Sequence, residues 1–156
     1  MIIAFTGHRP HKLGRYVLPN PIYIKICQSI DKYLKELKPE KIISGMALGI
    51  DQWAANIAIK NKIPFIAAVP FLGQEGKWNN DSRKTYSILL RKAVRQVIVC
   101  QGAYSVEKMQ IRNEWMVDRC DLLIAVWDGT KGGTGNCVDY AKKINKEILR
   151  IDPNAL

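Results

Sequence analysis

Short apolar runs alternate along the chain with longer stretches whose apolar positions recur every three or four residues. Ile2 to Thr6, Lys41 to Ser44, Pro64 to Val69, Gln96 to Cys100 and Leu122 to Trp127 are dense in Ile, Val, Ala and Leu without a strict period of two. That is the pattern of parallel strands buried on both faces. A helix is predicted from Pro21 to about Leu37, opened by Asn20 as cap and Pro21 at the first helical position, with Tyr23, Cys27, Ile30, Leu34 and Leu37 as its apolar stripe. A second follows Gly49 and turns Trp53, Ala54, Ile57 and Ala58 inward, and a third runs from about Asp81 to Ala93 with Tyr86, Leu89, Leu90 and Ala93 inward. A fourth spans Ser105 to Arg119, and a fifth starts near Gly133 and ends near Asn145. Ile148 to Ile151 is a candidate short sixth strand at the sheet edge.

Regular alternation of strand and helix predicts an α/β fold, a single doubly wound domain around a parallel sheet of about five strands. Right-handed crossovers favour the order 3-2-1-4-5, with the switch point between strands one and four. Ligands are expected at the carboxyl ends of the strands there. The length of 156 residues suits one domain with a full core.

The longest apolar runs have strand length, and Met1-Ile2-Ile3-Ala4-Phe5 shows neither a basic leader nor a small-residue cleavage site, so the expected location is cytoplasmic with no membrane partner. Cys27, Cys100, Cys120 and Cys137 form no Cys-x-x-Cys pair, which leaves buried free thiols as the reading and gives no signal for zinc or disulfides. The net charge of +10 suits anionic partners. It is dispersed, with the longest basic runs being pairs such as Arg83-Lys84, Arg91-Lys92 and Lys142-Lys143, so a solvated surface explains most of it and only weak nucleic-acid binding is expected.

Chemistry concentrates where strands end. Thr6-Gly7-His8-Arg9-Pro10, Ser44-Gly45-Met46-Ala47-Leu48-Gly49-Ile50-Asp51 and Asp128-Gly129-Thr130-Lys131-Gly132-Gly133-Thr134-Gly135-Asn136 each follow an apolar run, and the last two open a helix. Glycine admits a ligand to bare backbone, and the first N–H groups of a helix lack internal partners, so such turns cradle phosphate. The bland alternative is a tight turn with Thr134 as a cap; Gly45 and Gly49 could equally serve helix-to-sheet contact, and Asp51 the helix dipole.

Asn113 falls at the centre of the fourth helix's apolar stripe, so it must either tie the helix to a neighbour or meet a ligand. Arg112, at the edge of that face, either reaches a phosphate or lies exposed over Met116. His8 and Arg9 put cationic chemistry directly after the first strand, with the role of His8 open between ligand and backbone partner. Phe71, Gln74 and Trp78 combine aromatic faces with an amide, a set that suits either base recognition or loop packing. No Gly-x-Ser-x-Gly elbow, metal-type cluster or Gly-x-x-x-x-Gly-Lys-Ser/Thr loop occurs.

Taken together, the three turns, Pro70-Phe71 with Gln74 and Trp78, and Arg112-Asn113 with Met116-Val117-Asp118 resemble the SLOG superfamily of nucleotide-ligand domains, and within it the YpsA-like proteins of bacteria and their phages. The resemblance covers nearly the whole chain. It implies a Rossmann-like fold, a nucleotide-class ligand and no required cofactor. Two other branches of the superfamily differ in activity. The LOG branch, cytokinin-activating phosphoribohydrolases, carries Pro-Gly-Gly-x-Gly-Thr-x-x-Glu with a catalytic glutamate; matching Gly133-Thr134 to its Gly-Thr puts Cys137 at the glutamate, and Asp139 lies about 200° further around the helix. That departure weighs against the same hydrolysis here. The DNA-processing protein A branch binds single-stranded DNA and shares the Ser-Gly-x-Ala-x-Gly-Ile-Asp stretch and the Arg-Asn pair.

The resulting expectation is a module that senses or sequesters a nucleotide or ADP-ribose-derived molecule. Gly7, Arg9, Gly45, Gly132, Gly133 and Thr134 would hold phosphate or sugar, Asp51 a ribose hydroxyl and Phe71 or Trp78 the base, with Thr6, His8, Ser44, Gln74, Arg112, Asn113, Asp128 and Asn136 completing the site. An N-glycosidase or phosphoribohydrolase and a single-strand binder are the alternatives, and homo-oligomerisation stays open.

Overall fold

The computed structural model describes residues 1–14 and 18–156. Six strands form one parallel sheet: β1 (Ile2–Gly7), β2 (Lys41–Ser44), β3 (Phe65–Val69), β4 (Arg95–Ile98), β5 (Leu122–Val126) and β6 (Glu147–Ile151). Between them run α1 (Pro21–Leu37), α2 (Ile50–Lys60), α3 (Asn80–Arg91), α4 (Val106–Arg119) and α5 (Gly133–Lys143), with single 3-10 turns at Pro10–Lys12 and Pro153–Ala155. The α/β class and the sixth edge strand agree with the sequence reading.

The strand order is 4-3-2-1-5-6, not 3-2-1-4-5. The fourth strand sits outside β3, and β5 takes the central place beside β1. Composition explains the exchange: Leu122–Val126 is buried at every position, whereas Arg95 and Gln96 of β4 are exposed and belong at an edge. The chain therefore reverses direction at β1 and β5, and the switch point moves there.

Side chains alternate between two cores. Ile3 and Phe5 of β1 and Leu122, Ile124 and Val126 of β5 pack with α1, α2 and α3 on one face. Ala4 and Leu123 pack with Met116, Val117, Cys137 and Ala141 of α4 and α5 on the other. In α1 the fully buried residues are Ile26, Ile30 and Leu34, with Tyr23, Cys27 and Leu37 flanking them, so Ile30 and Leu34 of the predicted stripe form the buried face and Ile26 joins them from outside it. Among the described residues no helix is long and apolar enough to cross a membrane. The cysteines are free thiols, Cys120 and Cys137 buried but Cys27 and Cys100 only half-buried.

Helix starts fall into two groups. Asn20 caps α1, Asn79 caps α3 and Ser105 caps α4, each accepting a hydrogen bond from a first-turn N–H. α2 and α5 open instead on Gly49 and Gly132, with no side-chain cap. Gly49, at φ +94, is where backbone meets backbone: a Cβ there would lie 2.6 Å from the carbonyl oxygen of His8.

Candidate functional site

The uncapped helices start where β1 and β5 end, beside the switch point. β1 leads into His8, Arg9 and the 3-10 turn Pro10–Lys12, while β5 leads through a glycine-containing loop to α5. The two strand exits are laced together. The His8 N–H donates to the Val126 carbonyl (3.2 Å), the Asp128 N–H to Nε2 of His8 (3.0 Å), and Nζ of Lys12 to Oγ1 of Thr130 (2.8 Å). Oδ1 of Asp128 accepts from the Thr130 N–H (3.0 Å) and hydroxyl (2.6 Å), closing the loop on itself and holding the Asp128 carboxyl below the usual carboxylate range.

Between these exits lies an open cleft of about 350 Å³. Its walls include Thr6, Gly7, His8, Arg9, Asp51, Arg112, Asn113, Gly132, Gly133 and Thr134 from the expected set. Ala47, His11, Lys12, Met109, Lys131, Thr130 and Gly135 join them. Several cationic side chains surround a single carboxylate, so the cleft favours an anion.

That carboxylate is buried. Asp51 accepts from the Ala47 N–H (3.2 Å), and burial pushes its carboxyl above the usual value against the opposing pull of Arg112, the Ala47 N–H and Arg9. Arg112 is not the exposed arginine that its place at the helix edge allowed. It is 4% exposed, and Nη1 donates to the Gly45 carbonyl (2.6 Å) and at 3.5 Å to that of Ala68, while Nε donates to Oδ1 of Asn113 (3.0 Å). Gly45 makes room for it, since a Cβ there would stand 2.5 Å from Nη1 and 2.8 Å from Oδ2 of Asp51. Asn113 both orients Arg112 and faces the cleft.

A second compartment of about 570 Å³ adjoins the first and shares Arg9 and Met109 with it. Phe71, Gln74 and Trp78 line it as the sequence suggested, together with Tyr104, which meets Phe71 edge to face at 5.8 Å. Trp78 stands edge to face with Tyr86 at 5.3 Å.

Four expected residues lie outside these walls. Ser44 is buried, its hydroxyl donating to the Asp51 carbonyl (2.7 Å) and accepting from the Met46 N–H. Gly45 is a packing position, Asp128 braces its loop, and Asn136 presents its backbone carbonyl to Gln110. Lys12, Lys131, Met109 and Tyr104 went unread. Lys12 lies two residues beyond Pro10, after His11, and Lys131 lies within the Asp128-to-Asn136 turn, so both could have been found from those runs; nothing local marks Met109 or Tyr104. Among the described residues no group of His, Cys, Asp and Glu side chains comes together as a metal site.

Histidine 8 gives the site a pH response. The ring nitrogen that accepts from the Asp128 N–H lies 2.9 Å from Oδ1 of the same residue, and burial lowers the imidazole from its ordinary 6.5 although Asp128 pulls the other way. The folded protein thus resists a proton that the unfolded chain accepts. Stability from this group is fully present above about pH 6.5 and is lost as pH falls from there through the folded value. Urea melts of the protein and of His8→Gln between pH 5 and 7.5 are the check: the native midpoint should fall toward pH 5, and the variant's should fall less.

A family model described as the YspA SLOG family matches residues 3–156. The chain belongs to this family. It is 33% identical to the SPbeta prophage-derived protein YoqJ of Bacillus subtilis over 160 residues, covering 88% of this chain and 93% of that protein. A UPF0398 protein of Bacillus thuringiensis is 28% identical over 157 residues, covering 94% and 85%. Among solved structures, DNA processing protein A from Streptococcus pneumoniae superposes with a TM-score of 0.69 at 18% identity over 96% of this chain and 50% of that one. The Helicobacter pylori DNA processing protein A, described for its single-stranded DNA binding mode, gives 0.70 at 18% over 97% and 65%. The molybdenum cofactor binding protein of Rippkaea orientalis gives 0.60 at 19% over 97% and 77%. These structural likenesses show the fold of this chain alone.

Proposed function

We propose that the family member described here binds a nucleotide or ADP-ribose-derived small molecule, as a sensor or a sequestering module. The observation that carries the reading is the continuity of two unlike compartments: a cation-lined cleft at two uncapped helix starts opens, past Arg9 and Met109, into an aromatic one. Phosphates fit the first, where the α5 amides and Arg9, Lys12 and Lys131 converge, and a base fits the second.

Turnover by the LOG route is not part of the proposal. Cys137 occupies the place of that branch's glutamate, and here it is fully buried, outside the cleft wall, with its thiol pushed up to about 12 by burial. It supplies neither a carboxylate nor a thiolate to the cleft.

The test is a thermal-shift screen of mono- and dinucleotides, ADP-ribose and cyclic nucleotides. At a hundred times its dissociation constant a ligand stabilises the fold by about 2.7 kcal/mol, several degrees for a chain of this size. Gly133→Val is the control, because a Cβ at Gly133 meets nothing within 4 Å and the side chain would project into open space without disturbing the fold. A screen with no shift, or an equal shift in folded Gly133→Val, would discard the reading.

Single-stranded DNA is the second ligand to test, because the Helicobacter pylori neighbour is described as binding it and this chain carries +10. Counterion release makes such binding fall steeply with salt. Oligonucleotide affinity is expected to fade near physiological salt while nucleotide binding in the cleft persists; tight oligonucleotide binding that survives would favour the DNA reading.

A further inference from the structure

We infer that Oδ1 of Asp51 and Nδ2 of Asn113 together read the two neighbouring hydroxyls of a ribose, so that the cleft takes ribonucleotides and rejects their deoxy counterparts. This rests on the nucleotide reading above and adds the sugar to it. Asp51 is 7% exposed and Asn113 8%, and both line the cation-rich cleft. Each is tied down at one end. Oδ2 of Asp51 accepts from the Ala47 N–H, and Oδ1 of Asn113 accepts from Nε of Arg112. Arginine only donates, so the amide oxygen must face Arg112 and the amide nitrogen must point away from it. Oδ1 of Asp51 and Nδ2 of Asn113 have no hydrogen-bond partner among the described residues, yet neither is closed to solvent, since the one side-chain atom there that is both unpartnered and closed off is Oε1 of Gln74. Both atoms therefore open onto the cleft that their residues line.

The two open atoms are unlike, a charged acceptor and a donor. A phosphate oxygen beside Asp51 would meet a like charge and bring no proton to share, so phosphate belongs further along, at Lys12, Lys131 and the start of α5. A hydroxyl suits both atoms, because it donates to a carboxylate and accepts from an amide N–H. Position along the cleft selects the hydroxyls of the sugar. Arg9 and Met109 mark the passage to the aromatic compartment. Asn113 stands one helical turn beyond Met109 on α4, about 5–6 Å away, and the charge of Arg9 reaches the Asp51 carboxyl. The pair thus sits where a ribose falls when its base lies among Phe71, Trp78 and Tyr104 and its phosphates lie at α5.

Titration calorimetry with adenosine, guanosine, cytidine and uridine diphosphates, each beside its 2′-deoxy and 3′-deoxy counterparts, isolates the sugar because base and phosphates stay the same. For the diphosphate that binds tightest, loss of either hydroxyl is expected to weaken binding about tenfold or more, since the buried group that read it is left unpaired. Asn113→Leu should bring one of the two penalties to within about twofold and keep the other, which Asp51 still enforces. Gly133→Val should weaken all three sugar forms alike. The native series decides by itself should Asn113→Leu fail to fold. A deoxy form that binds the native protein within about twofold of the ribonucleotide, at either position, overturns the inference and leaves the nucleotide reading standing, as does folded Asn113→Leu protein that keeps both penalties. Diphosphates that do not bind at all overturn both.

Discussion

Replacing Arg112 with methionine should destabilise the protein by about 3–5 kcal/mol, the usual cost of removing one member of a buried charged group and stranding the other. The guanidinium is nearly solvent-free and satisfies the Gly45 carbonyl and the Asn113 amide oxygen at once. Methionine fills similar volume, so the loss reports the polar contacts rather than a cavity. Asp51 is the group left behind, a buried carboxylate that Arg112 acts on through its charge and that accepts from the Ala47 N–H. Adding Asp51→Asn to Arg112→Met should therefore recover part of the loss, a coupling that two unrelated sites would not show. Chemical denaturation of the three variants measures it; a loss below about 1 kcal/mol for the single change, or no recovery in the double, would mean that the buried pair is energetically idle.

Gly7→Ala is expected to cost about 3 kcal/mol, at the upper end for overpacking a filled core. A Cβ on Gly7 would stand 2.4 Å from Cγ1 and 2.6 Å from Cβ of Ile50, and the β-carbon at the start of α2 cannot swing aside as a long side chain would. Gly133→Ala is the companion measurement. Its new methyl meets nothing, and alanine suits a helical position better than glycine, so the fold should be unchanged or gain up to about 1 kcal/mol. Two glycines that look alike in sequence thus separate into one that lets elements pack and one that faces open space. Similar stability losses in both variants would remove that distinction.

That separation marks the limit of what can be read from residues alone. The elements were legible because their signals are local: Asn20-Pro21 opens α1, and apolar runs of strand length bounded by glycine or proline mark β1, β2, β3 and β5. The place of β4 was not, since adjacency in a sheet is decided by which strands must be buried. The polar Arg95-Gln96 start of β4 carried that information, and the assumed strand order overrode it. For the cleft, the glycine turns pointed to the correct strand ends, and Asn113 was legible as a polar group on an apolar face. The two readings of Arg112 could not be separated, because a helix stripe gives orientation only to within a residue and its burial is set by Gly45 and Ala68, far away in sequence. Tyr104 comes from a loop with no periodic signal and reaches the aromatic compartment only through tertiary contact.

The lacing of the two strand exits also bears on how the protein is made. His8 and Asp128 are 120 residues apart, and Lys12 and Thr130 are 118 apart. A ribosome reaches the second half of the cleft only after β1 to β4 have been synthesised, and at about 5–20 residues per second the first half waits roughly 6–24 seconds for it. During that interval β1 lacks β5 along one side, and no cleft exists for a ligand to hold together. Small molecules that stabilise the finished protein therefore cannot assist the nascent chain, and early escape from aggregation falls to β1 to β4 and the helices between them.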